Sequence, residues 1–270
     1  MGWAGHGRGM LHVAHLSVEY PATRTDALRD VDLDLRDEKM VLVGANGSGK
    51  TTLFKALLGL VGARTGRIEL FGEDVRSVRG MTQVATNLPE VFRLVSLPVE
   101  DLVAVYARLK GGSPAEPLER LRAFDLTGVL PKRIFELSMG QQKMLGNLLA
   151  VCFEPRLVLL DEPFDNVDFE RRRRLVRLLN ELPAELLLST HELDLLARFP
   201  GWRLAFMFEG RLFGPFRVED LDRLYLSRGR ASDARAVLET RVGAFSVTLD
   251  RGERPIKSAT SLGALMEALP

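Results

Sequence analysis

Two early segments alternate apolar and polar residues with a period of two. Ala14, Leu16, Val18 and Tyr20 share one face of the first, and Val31, Leu33 and Leu35 share one face of the second, with Asp32 and Asp34 between them. Pro21 to Thr25 reads as a turn, so the chain is expected to open with an antiparallel sheet. From Met40 the pattern changes. Met40–Val43 is a short apolar strand that runs into a glycine-rich stretch, a helix from Thr51 to about Leu60 follows, and Gly66–Phe71 returns as a strand. Helical spacing marks Pro98–Lys110, Glu116–Phe124 and Gly140–Phe153, the last with a stripe of Met144, Leu145, Leu148, Leu149 and Cys152. Leu157–Leu160 and Glu185–Ser189 are short apolar strands flanking a helix at Phe169–Leu182. Strands alternating with helices point to an α/β fold with a mainly parallel sheet. Beyond about Asp222 the character shifts: a strand at Phe245–Leu249, a turn at Arg251–Gly252 and a terminal helix after Thr260.

Composition narrows this picture. The chain of 270 residues is 46% hydrophobic and 27% charged with a net charge of +1, which gives no field for nucleic acid or acidic lipid. No stretch approaches the ~20 apolar residues that cross a bilayer. The single cysteine, Cys152, reads as a small buried hydrophobe in a reducing compartment. Residues 1–10 are expected to be a flexible extension, 11–221 the main domain and 222–270 a small appendage. The run Arg171–Arg174 reads as a solvated helix face.

The chemistry begins at the glycine-rich stretch. Gly44, Ala45, Asn46, Gly47, Ser48, Gly49, Lys50, Thr51 and Thr52 match G-x-x-x-x-G-K-[ST] between an apolar strand and a helix. Gly47 and Gly49 let the backbone curl so that consecutive N–H groups face phosphate oxygens. The following helix places its positive end there, Lys50 reaches the β- and γ-phosphates, and Thr51 offers a hydroxyl to Mg²⁺. The loop alone says nucleotide and does not choose among kinases, GTPases and motor ATPases. Leu157-Val-Leu-Leu-Asp-Glu162 is a strand ending in two carboxylates. Asp161 is placed to hold Mg²⁺ through water, and Glu162 to polarise an attacking water as a general base. An acidic pair after a strand is otherwise a solvated turn.

Leu137-Ser-Met-Gly-Gln-Gln142 opens the amphipathic helix. Here the chain resembles the ATP-binding-cassette family, whose signature reads L-S-G-G-Q, with Met139 at its most variable position. The resemblance covers roughly residues 11–215. It implies a P-loop NTPase core with an N-terminal antiparallel β subdomain and a helical subdomain carrying the signature. It also implies ATP as nucleotide with Mg²⁺, and hydrolysis in a head-to-tail homodimer or heterodimer. In that arrangement Ser138, Gly140 and Gln141 contact ATP on the partner. By the same resemblance Tyr20 stacks on adenine, Asp168 of Asp165-Asn-Val-Asp168 organises the subunit contact, and His191 touches the γ-phosphate. The family's Mg²⁺-sensing glutamine falls on Asn87, one methylene shorter, and the expectation is that Asn87 takes its role. Asn87–Asp101 resembles the groove that grips an integral membrane subunit, so a cytoplasmic, peripheral location and no nucleic-acid partner are implied. A soluble cassette ATPase uncoupled from transport is the alternative, although no long coiled coil separates Lys50 from Ser138. A catalytically dead scaffold is a third, against which Glu162 and His191 stand.

Overall fold

The computed structural model describes residues 10–20, 25–77, 80–92, 96–240 and 243–258. In chain order the elements of its first half are β1 (Leu11–Tyr20), β2 (Thr25–Leu35), β3 (Lys39–Val43), α1 (Lys50–Leu57), β4 (Thr65–Leu70), β5 (Glu73–Asp74), β6 (Val84–Thr86), α2 (Pro89–Phe92), α3 (Val99–Lys110) and α4 (Ala115–Ala123). Then come α5 (Met139–Ala150), β7 (Leu157–Leu160), α6 (Phe169–Glu181), β8 (Glu185–Thr190), β9 (Arg203–Phe208), β10 (Arg211–Arg217), β11 (Leu224–Arg228), β12 (Ala236–Thr240), β13 (Gly243–Leu249) and β14 (Arg254–Pro255). Two compact units form, one from residues 1–78 with 189–270 and one from residues 79–188. The expected turn from Pro21 to Thr25, apart from Thr25, which opens β2, the terminal helix after Thr260 and all of the expected extension except Met10 lie outside the described residues.

The first unit holds an antiparallel sheet of order β2-β1-β4-β5. Its alternation departs from the sequence expectation. Leu11 and Val13 are buried, then Leu16 and Val18, while Ala14 and Tyr20 are only half-buried. The phase slips because β1 bulges at His15, which has φ 51, and the register against β2 shifts between Val13 and Leu16. A bulge adds one residue and returns the apolar set to the same face. Asp32 and Asp30 of β2 hold the bulge, accepting from the His15 backbone N–H (2.8 Å) and pairing with its Nδ1 (2.9 Å). In the same unit β3 runs parallel to β9, and β9 pairs antiparallel with β10. Residues 224–255 build a separate antiparallel sheet of order β12-β13-β11-β14 over Leu224, Leu226, Leu238, Phe245 and Val247.

The second unit centres on β6, β7 and β8, all parallel. Each residue of β7 is fully buried, which accounts for its unbroken apolar run. Removing those side chains from water contributes about 1.5–3 kcal/mol each. The arginine run is not a solvated face throughout. Arg171 donates to the Phe124 and Asp125 carbonyls (2.9 and 3.0 Å), and Arg174 to the Ala123 carbonyl (3.0 Å) and the Asp125 carboxylate (2.7 Å). The guanidinium groups dock α6 onto the end of α4, where helix carbonyls lack intrahelical donors.

Candidate functional site

In the first unit β3 delivers the chain into the glycine-rich loop. The Gly44 N–H donates to the Thr190 carbonyl (3.1 Å), which sets the loop's entry beside the backbone that leads into His191. Ser48 N–H closes the turn on the Ala45 carbonyl (3.1 Å). Gly49 has φ 109, and a Cβ there would lie 2.7 Å from the Ala27 carbonyl oxygen, so strain and crowding both require glycine. Asn46 and Gly47 form the exposed rim, whereas Ser48 and Lys50 are buried. The Lys50 ammonium donates to the Gly44 and Ala45 carbonyls (2.6 and 3.1 Å), which places a positive charge inside the curl. Helix α1 starts at Lys50 with no side-chain cap and no acidic residue in its first turn. Curled N–H groups, one ammonium and an uncapped helix start make an anion cradle, and a polyphosphate fits that donor set. Thr51 is exposed. The Tyr20 hydroxyl meets Thr52 Oγ1 at 3.3 Å, tying the end of β1 to α1. His191 is half-buried at the end of β8.

In the second unit β7 ends at Asp161 and Glu162, both buried. Glu162 has φ 45, a left-handed backbone that costs a non-glycine residue about 1–2 kcal/mol. Asn87, directly after β6, lies against this corner. Its Oδ1 accepts from the Asp161 N–H (2.8 Å), and its Nδ2 donates to the Asp161 carbonyl (3.1 Å) and to Asn147 Oδ1 (2.8 Å). Asn147, from the middle of α5, donates to the Pro163 carbonyl (2.7 Å), and Lys143 Nζ to the Asp161 carbonyl (3.0 Å). Asn87, expected to take the Mg²⁺-sensing role, thus has both ends of its amide bonded to the main chain of Asp161 and to Asn147. Gln83 is exposed ahead of β6 and supplies no substitute.

The signature segment caps α5. Ser138 Oγ accepts from the Gln141 N–H (3.2 Å), and Gln141 Oε1 accepts from the Ser138 N–H (3.0 Å), a reciprocal capping box. Gln141, expected at the nucleotide, thus has its side-chain oxygen committed to orienting Ser138. A Cβ on Gly140 would lie 2.1 Å from the Asn166 carbonyl oxygen, so the near neighbour that demands glycine belongs to this chain's own Asp165–Asp168 loop. Asp168 caps α6, accepting from the Arg171 N–H (3.0 Å) and Nη1 (2.7 Å). The backbone N–H of Arg171 is the main cause holding its carboxyl below the usual range.

Each unit thus gathers its own share of the expected residues. The first holds Tyr20, the phosphate loop and His191; the second holds Asn87, Ser138, Gly140, Gln141, Asp161, Glu162 and Asp168. Sequence reasoning missed Lys143 and Asn147. The signal for Asn147 was present: a lone amide inside the apolar stripe of α5, fully buried, where an unpaired polar group is costly.

The family model described as ABC transporter matches residues 28–165. The taurine import ATP-binding protein TauB of Pseudomonas entomophila (strain L48) is 30% identical over 197 residues, 68% of this chain and 74% of TauB. The biotin transport ATP-binding protein BioM of Rhizobium etli is 30% identical over 195 residues, 69% of this chain and 85% of BioM. Among solved structures, a protein designated cobalt transport ATP-binding protein (cbiO-2) matches with a TM-score of 0.87 and 32% identity, over 96% of this chain and all of that one. A dimeric ATP-binding cassette bound to ADP and Pi shares the fold, with a TM-score of 0.68 and 20% identity over 77% of this chain and 99% of that one.

Proposed function

The chain belongs to the ABC transporter family, as a relative of its ATP-binding subunits, and we propose that it binds and hydrolyses ATP to drive a transporter whose membrane-spanning part is a separate chain. The observation that carries this reading is the anion cradle of residues 44–52 with the Lys50 ammonium held inside it. Lys50 and the N-terminal N–H groups of α1 bind the β- and γ-phosphates. Mg²⁺ neutralises charge on the phosphates when bound, with Thr51 and Asp161 the groups that would hold it. Glu162 takes the proton of the attacking water, and His191 orients the γ-phosphate end. Tyr20 supports the adenine.

The second half of the site comes from a second cassette, joined head to tail in a homodimer or heterodimer. Ser138, held by its capping box at the start of α5, presents its hydroxyl and the helix's positive end to the partner's γ-phosphate. Met139 and Phe169, 70% and 65% exposed beside the signature and the Asp168 cap, support a partner surface there. Asp168 organises that contact. No described helix is long and apolar enough to cross a membrane, which fits a subunit docked from the cytoplasmic side. The sheet over residues 224–255 is a small dimer-supporting or regulatory appendage, and truncation before Asp222 should lower activity.

ATPase assays of the parent and Glu162→Gln test the reading. A parent rate that falls by about 10²–10⁴-fold in the variant supports a general base at Glu162; equal, near-zero rates support a scaffold. Co-purification with a multi-span membrane protein tests the coupling to transport.

A further inference from the structure

Three main-chain groups flanking Glu162 are held by two buried side-chain amides. Asn87 accepts from the Asp161 N–H and donates to its carbonyl, and Asn147 donates to the Pro163 carbonyl. The amides are joined to each other by Asn87 Nδ2 to Asn147 Oδ1, at 2.8 Å. The Asp161 N–H fixes which end of Asn87 is oxygen, and the chain of donors then fixes Asn147. Both side chains are buried, Asn87 to 3% exposure and Asn147 completely. Gly146 makes the meeting feasible. A Cβ there would lie 2.8 Å from the Phe92 ring and 3.2 Å from the Asn87 carbonyl oxygen, so its absence lets α5 approach the Asn87 backbone closely. Between the clamped groups sits the one left-handed residue of the corner, Glu162. Strained backbone persists where its surroundings over-determine it.

We propose that Asn87 and Asn147 form a clasp whose task is to hold Glu162 in its left-handed conformation, so that its carboxylate meets the attacking water. Both are positioning residues, acting through the main chain on either side of Glu162. The proposal rests on the reading of Glu162 as general base. Its logic is geometric. An unclamped Asp161–Pro163 segment relaxes Glu162 from φ 45 toward the ordinary region, which swings the carboxylate away. The clasp also ties α5, which Ser138 caps, to the main chain on either side of Glu162.

The test is a set of purified full-length variants: Asn147→Leu, the isosteric Asn147→Asp, which cannot donate to Pro163, and Asn87→Leu. Each is also made in a Glu162→Gln background. ATP affinity, turnover and thermal melting are measured for all. The expected result is a turnover lowered by about 10- to 100-fold, as for a misplaced catalytic group, with ATP affinity within about twofold of the parent. Combining Asn87→Leu with Asn147→Leu should cost no more than either alone. In the Glu162→Gln background the same substitutions should change the residual rate by less than about twofold, because they act through Glu162. Where Asn147→Leu does not fold, Asn147→Asp carries the comparison. Parental turnover in the folded variants overturns the clasp, as does an equal loss in both backgrounds. A Glu162→Gln protein as active as the parent overturns the general-base reading instead, and the two failures are told apart by that one variant.

Discussion

Replacing Gly140 by alanine tests whether the signature glycine serves this chain's own packing. The added Cβ would lie 2.1 Å from the Asn166 carbonyl oxygen, with the Asn166 carbonyl carbon at 3.2 Å. The obstacle is backbone in the turn between Glu162 and Asp168, where Asn166 has φ 58, so no flexible side chain can give way. Overpacking of this kind costs about 1–3 kcal/mol. Alanine in a helix recovers about 0.5–1 kcal/mol relative to glycine. The difference is a net loss of up to about 2.5 kcal/mol, toward the upper end because Gly140 lies in the first turn of α5, where the alanine gain is smallest. Each kcal/mol lowers the melting temperature by about 2–4 °C for a chain of this size. Gly128→Ala is the control, because a Cβ there meets nothing within 4 Å and should shift stability by no more than about 0.5 kcal/mol. Differential scanning calorimetry of the three proteins decides it. A Gly140→Ala protein that melts with the control refutes the reasoning, since a displaced Asp165–Asp168 turn cannot be neutral. ATPase activity should fall together with stability, because that turn follows directly on Glu162.

Two further outcomes follow from single groups. Asp168→Ala removes the cap of α6 and should cost about 0.5–2 kcal/mol, whereas Asp168→Asn, which keeps a capping oxygen, should cost less. Because the folded carboxyl titrates below its ordinary value, its contribution is present above about pH 4 and is lost as pH falls through the depressed value. Urea midpoints measured from neutral to acidic pH should show that loss in the parent and not in Asp168→Asn. Burial, with the charge of Glu116 second, pushes the Cys152 thiol up from 9.0 to about 12. The native protein should therefore resist iodoacetamide at pH 8 and react fully in denaturant. Since the folded value is raised, the thiol's contribution to stability is complete below about pH 9 and declines as pH rises toward 12. Rapid native alkylation at pH 8 would contradict the burial of Cys152 just beyond α5.

Much of this was legible in the sequence because its signals are local. The phosphate loop is a contiguous run whose glycines have one backbone meaning, and Gly49 at φ 109 bears it out. The strand Leu157–Leu160 announced itself by having no polar side, and it is buried throughout. What was misread depends on residues far apart in the chain. The alternation of β1 was followed through Ala14 and Tyr20, because nothing local reveals that His15 bulges against Asp30 and Asp32. Arg171 and Arg174 looked solvated because their partners at Ala123–Asp125 lie about fifty residues earlier. Asn87 was expected at the end of β6 and follows it directly, yet its bond to Asn147, 60 positions away, could not be read from the sequence. A buried amide in an apolar stripe signals that a partner exists and does not say where.

The claim on which the rest depends is that each nucleotide is completed by a second copy, and mixing two inactive variants tests it most directly. Lys50→Ala disables the phosphate cradle, and Ser138→Arg blocks the signature helix start. Each alone should hydrolyse no ATP. Mixed in equal amounts, random pairing gives a dimer in which one site combines an intact Lys50 from one copy with an intact Ser138 from the other. Activity should then return to about a quarter of the parent rate. A mixture as inactive as its components, under conditions where light scattering shows the two variants paired, would contradict the shared site.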